Sequence, residues 1–201
     1  MPGTDHLFAK SLIEIIKNDL GSKTVKKIEN RLFEKFGLSL SQAVEEFTTF
    51  DLVLREFFGK GADAIERKLF EKIFVIKTKN HDDPWYSLSD TFVNSVILET
   101  YGDVDKRRIL ESVSETPKII NSILDDCNLP RTSGYRKINY LIDNGLLVKT
   151  GHIEADNKKI NEYMCIFSNL KINIEKSMMT IDVQFNKSEQ IRSSMLKSIP
   201  K

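Results

Sequence analysis

Cysteine, histidine and tryptophan are scarce in this chain: its 201 residues include two cysteines, three histidines and one tryptophan. Cys127 and Cys165 lie far apart with no CxxC spacing, which excludes a disulfide framework and a thiolate zinc site and leaves two reduced, half-buried thiols as the expectation. His6, His81 and His152 are scattered. No nucleophile–base pair or metal cluster can be assembled from so few groups, so neither catalysis nor a bound metal or cofactor is expected. Long apolar runs are missing too. The longest, Ile73 to Ile76, has about four residues against the ~20 that a membrane span needs. The first ten residues, MPGTDHLFAK, carry no basic stretch leading into an apolar one, so no secretion signal is expected and the protein is read as cytoplasmic, without a membrane partner. Gly59-Lys60-Gly61 lacks the flanking residues of a phosphate loop and reads as a turn between helices.

The formal net charge of +1 hides an asymmetry. Residues 1–85 hold 14 basic and 14 acidic side chains, residues 86–130 hold 4 and 8, and residues 131–201 hold 12 and 7. Positive charge therefore gathers in the last third, where a polyanion would be met.

The first 79 residues follow helical periodicity. Phe8, Leu12, Ile15, Ile16 and Leu20 share a face before Gly21, and Val25, Ile28, Leu32 and Phe36 share another before Gly37. Ser39 and Gln42 form a capping-box pattern that opens a third helix, and a fourth carries Ile65, Leu69, Ile73 and Ile76 inward. The phenylalanines at this spacing are read as core. Residues 10–73, KSLIEIIKNDLGSKTVKKIENRLFEKFGLSLSQAVEEFTTFDLVLREFFGKGADAIERKLFEKI, resemble the Nitrosopumilus-type output domains of ammonia-oxidising archaea, most closely the fifth of that series, through the pattern LGxKxxxKIExRLFEKxGLSxxQAVExF. That resemblance implies a regulatory setting in an archaeal cytoplasm and supplies no catalytic residues.

A polar stretch ending at Pro84 marks a joint, with Trp85 packing it and a connecting helix over residues 90–101. From Asp103 a trihelical pattern begins. Helix one covers roughly 104–114. Thr116-Pro117 has the form of a helix start for the second, which runs to about Asp126, and Asn128-Leu129-Pro130 makes a short turn into a third helix ending at Gly145. On a helical wheel Gly134, Ile138, Leu141 and Ile142 face inward, and Gly134 suits a close crossing. Thr132, Ser133, Arg136, Asn139 and Tyr140 fall on the opposite face, flanked by Tyr135 and Lys137. A strand from Leu146, a basic turn at 156–159 and a returning strand over 160–167 complete the pattern of a winged helix-turn-helix, with Lys158 and Lys159 at the wing tip.

The segment LPRTSGYRKINYLIDNGLLVKTG resembles the recognition helix and wing entry of ArsR-like winged-helix regulators, a likeness covering residues 104–168. By position it implies that Thr132, Ser133, Tyr135 and Arg136 contact DNA, Arg136 foremost. The Cys pair or His/Asp cluster of metal-sensing members is lacking. Residues 171–186 alternate as strands and residues 188–199 fit a short amphipathic helix.

The sequence thus predicts a mainly α (α+β) fold: an N-terminal helical bundle plus a C-terminal winged helix-turn-helix with a β-hairpin wing. The expected division is a helical output or sensor domain over 1–80, a linker and connecting helix over 81–102, a winged helix-turn-helix over 103–187 and a tail helix over 188–201. The expected function is a sequence-specific transcription regulator, a homodimer on double-stranded DNA. Its candidate contacts are Arg131, Thr132, Ser133, Tyr135, Arg136, Lys137, Asn139, Tyr140, Lys158 and Lys159. The alternative is an adaptor that docks its winged helix on transcription machinery.

Overall fold

A computed structural model describes residues 3–77, 84–155 and 158–198. Helix α1 (Gly3–Phe36) is two helices joined at Gly21, whose φ of 73° and ψ of 156° break the helical course where the sequence offers a stop. After Gly37 come α2 (Leu40–Glu45), α3 (Phe47–Phe58), a single 3₁₀ turn at Gly59–Gly61 and α4 (Ala62–Glu71). The capping box forms: Gln42 N–H donates to Ser39 Oγ at 3.3 Å and Ser39 N–H to Gln42 Oε1 at 2.9 Å. The helix opened by Ser39 is interrupted at Glu46, whose φ of −114° and ψ of 69° are not helical.

The fourth helix ends before its expected last turn. Residues Phe74–Ile76 form strand β1, paired antiparallel with β2 (Tyr86–Leu88), so Ile76 is exposed instead of inward. β-branched side chains fit a ladder better than a helix end, and the partner strand lies just past Pro84. Helix α5 (Thr91–Gly102) is capped by Asp90, which accepts from Val93 N–H at 2.8 Å, and α6 (Val104–Ser112) by Asp103. Thr116-Pro117 does not start a helix. The chain stays extended into β3 (Lys118–Ile119), which pairs with later residues Tyr163 and Glu162, and α7 (Ile120–Asp126) follows. Tertiary pairing outweighs the local capping signal there. Next come α8 (Arg131–Asp143), β4 (Leu147–Ala155), β5 (Lys158–Cys165), β6 (Phe167–Glu175), β7 (Met178–Phe185), α9 (Lys187–Arg192) and α10 (Ser194–Ser198). The expected tail helix is therefore two short ones.

The fold is α+β with two antiparallel sheets, ordered β1-β2-β7-β6 and β3-β5-β4. The first sheet takes strands from both sides of Pro84 and from the C-terminal third, and one buried core runs through the described residues. Aromatic pairs stitch it together: Phe8 to Phe74 at 5.5 Å, Phe74 to Tyr86 at 5.4 Å and Tyr86 to Phe185 at 5.2 Å between ring centroids. Phe47, Phe50 and Phe70 are core as expected, whereas Phe33 and Phe57 are exposed. Among the described residues no helix is long and apolar enough to cross a membrane.

The start of α1 is tied to α9 and α10. Thr4 donates through its N–H and Oγ1 to Glu189 Oε2 at 3.0 and 3.1 Å. The buried Asp5 carboxylate accepts from the Ser193 and Ser194 hydroxyls and from the N–H of Ser194 and Met195 at the start of α10. Burial raises the Asp5 pKa, and these donors counter it. Elsewhere, between α3 and α4, Glu66 is almost fully buried. Burial first, then its hydrogen bond to Asp51, pushes its pKa from 4.5 up to about 8.

Candidate nucleic-acid interface

Helix α8 packs closely on α7 at Gly134. A β-carbon there would lie 2.3 Å from Leu124 Cδ2 and 3.4 Å from Leu129 Cβ, so a larger side chain would require the Leu124 side chain to move. The turn between them, residues 127–130, contains Asn128 at a φ of 52° and closes with Leu129 N–H donating to Leu124 O at 3.0 Å. Gly134, Ile138 and Leu141 are buried, as the wheel placed them.

The other side of α8 divides in two. Thr132, Tyr135, Arg136 and Asn139 are exposed, and the side chains of Thr132, Arg136 and Asn139 have no hydrogen-bond or ion-pair partner among the described residues. Arg131 is exposed and paired: its guanidinium donates to Asp125 Oδ1 at 2.8 Å and Asn121 Oδ1 at 3.0 Å. The same Asn121 Oδ1 accepts from the Tyr135 hydroxyl at 3.0 Å. Asn121 on α7 thus sets the direction of two α8 side chains. Nothing in the sequence singles it out except its place as a polar residue between Ile120 and Ile123. Ser133 is half-buried and donates to Pro130 O at 3.2 Å, stabilising the first turn of α8.

Two of the wheel's outward residues are turned away. Lys137 bonds Asp103 Oδ2 and lies 3.4 Å from Asp105 Oδ2, with its side chain only 19% exposed. The hydrogen bond to Asp103 raises the lysine's pKa and, reciprocally, lowers the aspartate's. Tyr140 packs against the core beneath the Lys106 ammonium, which stands 3.4 Å from the ring centroid. Burial and a hydrogen bond with Glu99 push the Tyr140 hydroxyl up to about 12. The acids and the lysine responsible sit on α5, on α6 and at the Asp103 cap between them, none of which the period of α8 alone contains. Both residues therefore hold α8 to those helices and do not line its outer face.

Beyond Gly145 the chain runs directly into the β4–β5 hairpin, registered from Leu147 opposite Cys165 to Ala155 opposite Lys158, with a bulge between Lys149 and Gly151. With β3 on its other side, β5 is the central strand of the three. Lys158 and Lys159 are exposed at the far end, Lys159 opposite Glu154. The expected turn residues Asp156 and Asn157 lie outside the described residues. Arg192 of α9 donates to Lys149 O at 3.1 Å and Thr150 O at 2.8 Å, holding the carbonyls that the bulge frees.

The junction of α8 and β4 rests on α1. Gly145 adopts a φ of +70°, and a β-carbon there would lie 2.7 Å from Gly3 O and 2.8 Å from Leu7 N. His6 places Nε2 2.9 Å from Asp143 O and Nδ1 3.1 Å from Glu45 Oε1, bridging the end of α8 to α2.

The result is an exposed helix face carrying an arginine with no partner among the described residues, beside a hairpin with two lysines at its far end. Hydrogen-bonding side chains of this kind suit base edges, and the cations suit phosphates. Compared with known proteins, the chain matches no family model, and neither the curated-protein nor the solved-structure comparison returns a match.

Proposed function

We propose that this protein is a sequence-specific DNA-binding transcription regulator whose residues 103–165 act as a winged helix-turn-helix. In this reading α8 enters the major groove, Arg136, Thr132, Tyr135 and Asn139 meet base edges, and Arg131 and Ser133 sit where the first turn approaches a phosphate. Lys158 and Lys159 of the hairpin reach the neighbouring backbone or minor groove. Lys137 and Tyr140 contribute by fixing the angle of α8. The helical part, with its resemblance to output domains, would carry the signal, and the protein binds DNA without catalysing a reaction, in the cytoplasm.

The observation that carries the reading is the outer face of α8. Its Arg136 is exposed and without a partner among the described residues, on a helix whose inner face is locked by Gly134 against α7. Because the helix backbone is already fixed, contact with a duplex has only the side chains left to order. The test is a titration of the full chain with its own upstream DNA and with random DNA of equal length, over a range of salt. Preference for the upstream fragment of at least ten-fold is expected, against the 10³–10⁷ span typical of specific over non-specific binding. Equal affinity for both at every salt concentration overturns the proposal.

A further inference from the structure

Strand β6 ends the sheet β1-β2-β7-β6 and is nine residues long, against three for β1 at the other edge. Among the described residues it pairs with β7 alone, so one row of its backbone donors and acceptors faces solvent. Residues 171–180 are all exposed. The Lys171 ammonium still lies 4.1 Å from the Trp85 ring centroid, and Asn173 Nδ2 donates to Glu175 Oε1 at 3.0 Å, both contacts at the solvent surface that an opposite charge across the edge can replace. The two faces of the β6–β7 hairpin differ. The register sets Ile172 beside Ile181 and Ile174 beside Met179 on one face, and Lys171 beside Asp182 and Asn173 beside Thr180 on the other. Ile174 is 69% exposed, and Ile172 and Met179 are each 38% exposed. A long, open, apolar-faced edge is a template for another strand.

We infer that a second copy of this chain is that strand's partner, through antiparallel pairing of β6 with β6 about a two-fold axis at Asn173. The choice follows from parity and charge. An axis between two residues would set odd positions against even ones and join the apolar face of one copy to the polar face of the other. An axis on a residue keeps the faces matched. Centred on Lys171 it opposes lysine to lysine, and centred on Glu175 it opposes glutamate to glutamate. Centred on Ile172 or Ile174 it leaves Lys171 and Glu175 without opposite charges. Centred on Asn173, it sets Lys171 against Glu175 twice, Ile172 against Ile174 twice and Asn173 against itself. The two four-stranded sheets then become one, and the four isoleucines form a continuous patch. Charge self-complementarity of this kind selects the chain's own copy over an unrelated strand, as an isologous interface requires.

The test reads the oligomeric state of the full chain without DNA, so it stands or falls apart from the DNA-binding reading. Sedimentation across a concentration series should give a dimer. Lys171→Glu alone and Glu175→Lys alone each turn two attractive pairs into two repulsive ones, and each should weaken the dimer about ten-fold. The double swap should restore it, which a general surface effect would not do. Asn173→Cys should give a covalent dimer on oxidation, because the axis opposes that position to itself and the native cysteines are buried, while Lys176→Cys should not. A wild-type monomer at 100-fold the concentration needed for function, an unrescued double swap, or equal cross-linking at 173 and 176 overturns the proposal.

Discussion

Hairpins β4–β5 and β6–β7 have the same dimensions, a nine-residue strand followed by an eight-residue one. They differ in what aims them. The first leaves α8 through Gly145, is wedged by α1 and is clasped at its bulge by Arg192, and its far end is basic. The second is aimed by its own turn, where Lys176 and Ser177 both have positive φ (48° and 68°), and its outer half is apolar on one face. A hairpin propped from several sides is directed by distant residues, whereas one with a primed turn directs itself. The first presents cations to solvent and the second presents isoleucine, so equal geometry offers two chemically different surfaces.

The sharpest way to break that contrast is at Gly145. Gly145→Val adds a β-carbon against backbone atoms of Gly3 and Leu7 and forces a branched residue to positive φ, so a loss of about 3 kcal/mol or more in denaturant unfolding is expected. Arg136→Ala is next. It should cost ~1–3 kcal/mol at one base position, and Lys159→Ala should instead weaken all sequences alike and flatten the salt slope by about one unit. Fluorescence-anisotropy titrations on a panel of duplexes separate the two outcomes. Arg192→Ala should cost about 1 kcal/mol and speed amide exchange in β4 while leaving β6 and β7 unchanged. The self-directed hairpin should respond in the opposite sense: Lys176→Asn with Ser177→Gly should raise stability by about 0.5–1 kcal/mol, read as a higher Tm. A control touches neither hairpin. Glu66 binds its proton more tightly folded than unfolded, so its contribution is complete below pH 4.5 and is lost as pH rises toward about 8. Glu66→Gln should flatten that decline in a pH series of unfolding curves and leave both hairpin assays unmoved.

The sequence was most legible where a segment's partners lie within itself. The inner face of α8, the capping box at Ser39, the break at Gly21, the strand from Leu146 and the one returning over 160–167 follow from local period and turn chemistry, while the alternation read over 171–186 resolves into β6, which begins earlier at Phe167, and β7. It was least legible where a distant segment decides. Lys137 and Tyr140 look outward until Asp103, Lys106 and Glu99 are placed beside them. Lys118 and Ile119 look helical until Tyr163 and Glu162 arrive to pair with them. Asn121 has no local mark, and its importance comes entirely from Arg131 and Tyr135 reaching back to it. The exposure of Thr132, Tyr135, Arg136 and Asn139 is legible in the sequence because solvent makes no demands beyond the helix itself.

The bonds from Thr4 and Asp5 to Glu189, Ser193, Ser194 and Met195 span 185 to 190 residues of chain. As the polypeptide grows from the ribosome, Thr4 and Asp5 must wait until residues 189–195 have emerged before those donors and acceptors meet. Contacts of such sequence separation raise the contact order of the fold and so slow its folding, and in a growing chain the turn that wedges Gly145 stays unseated until both hairpins have been synthesised.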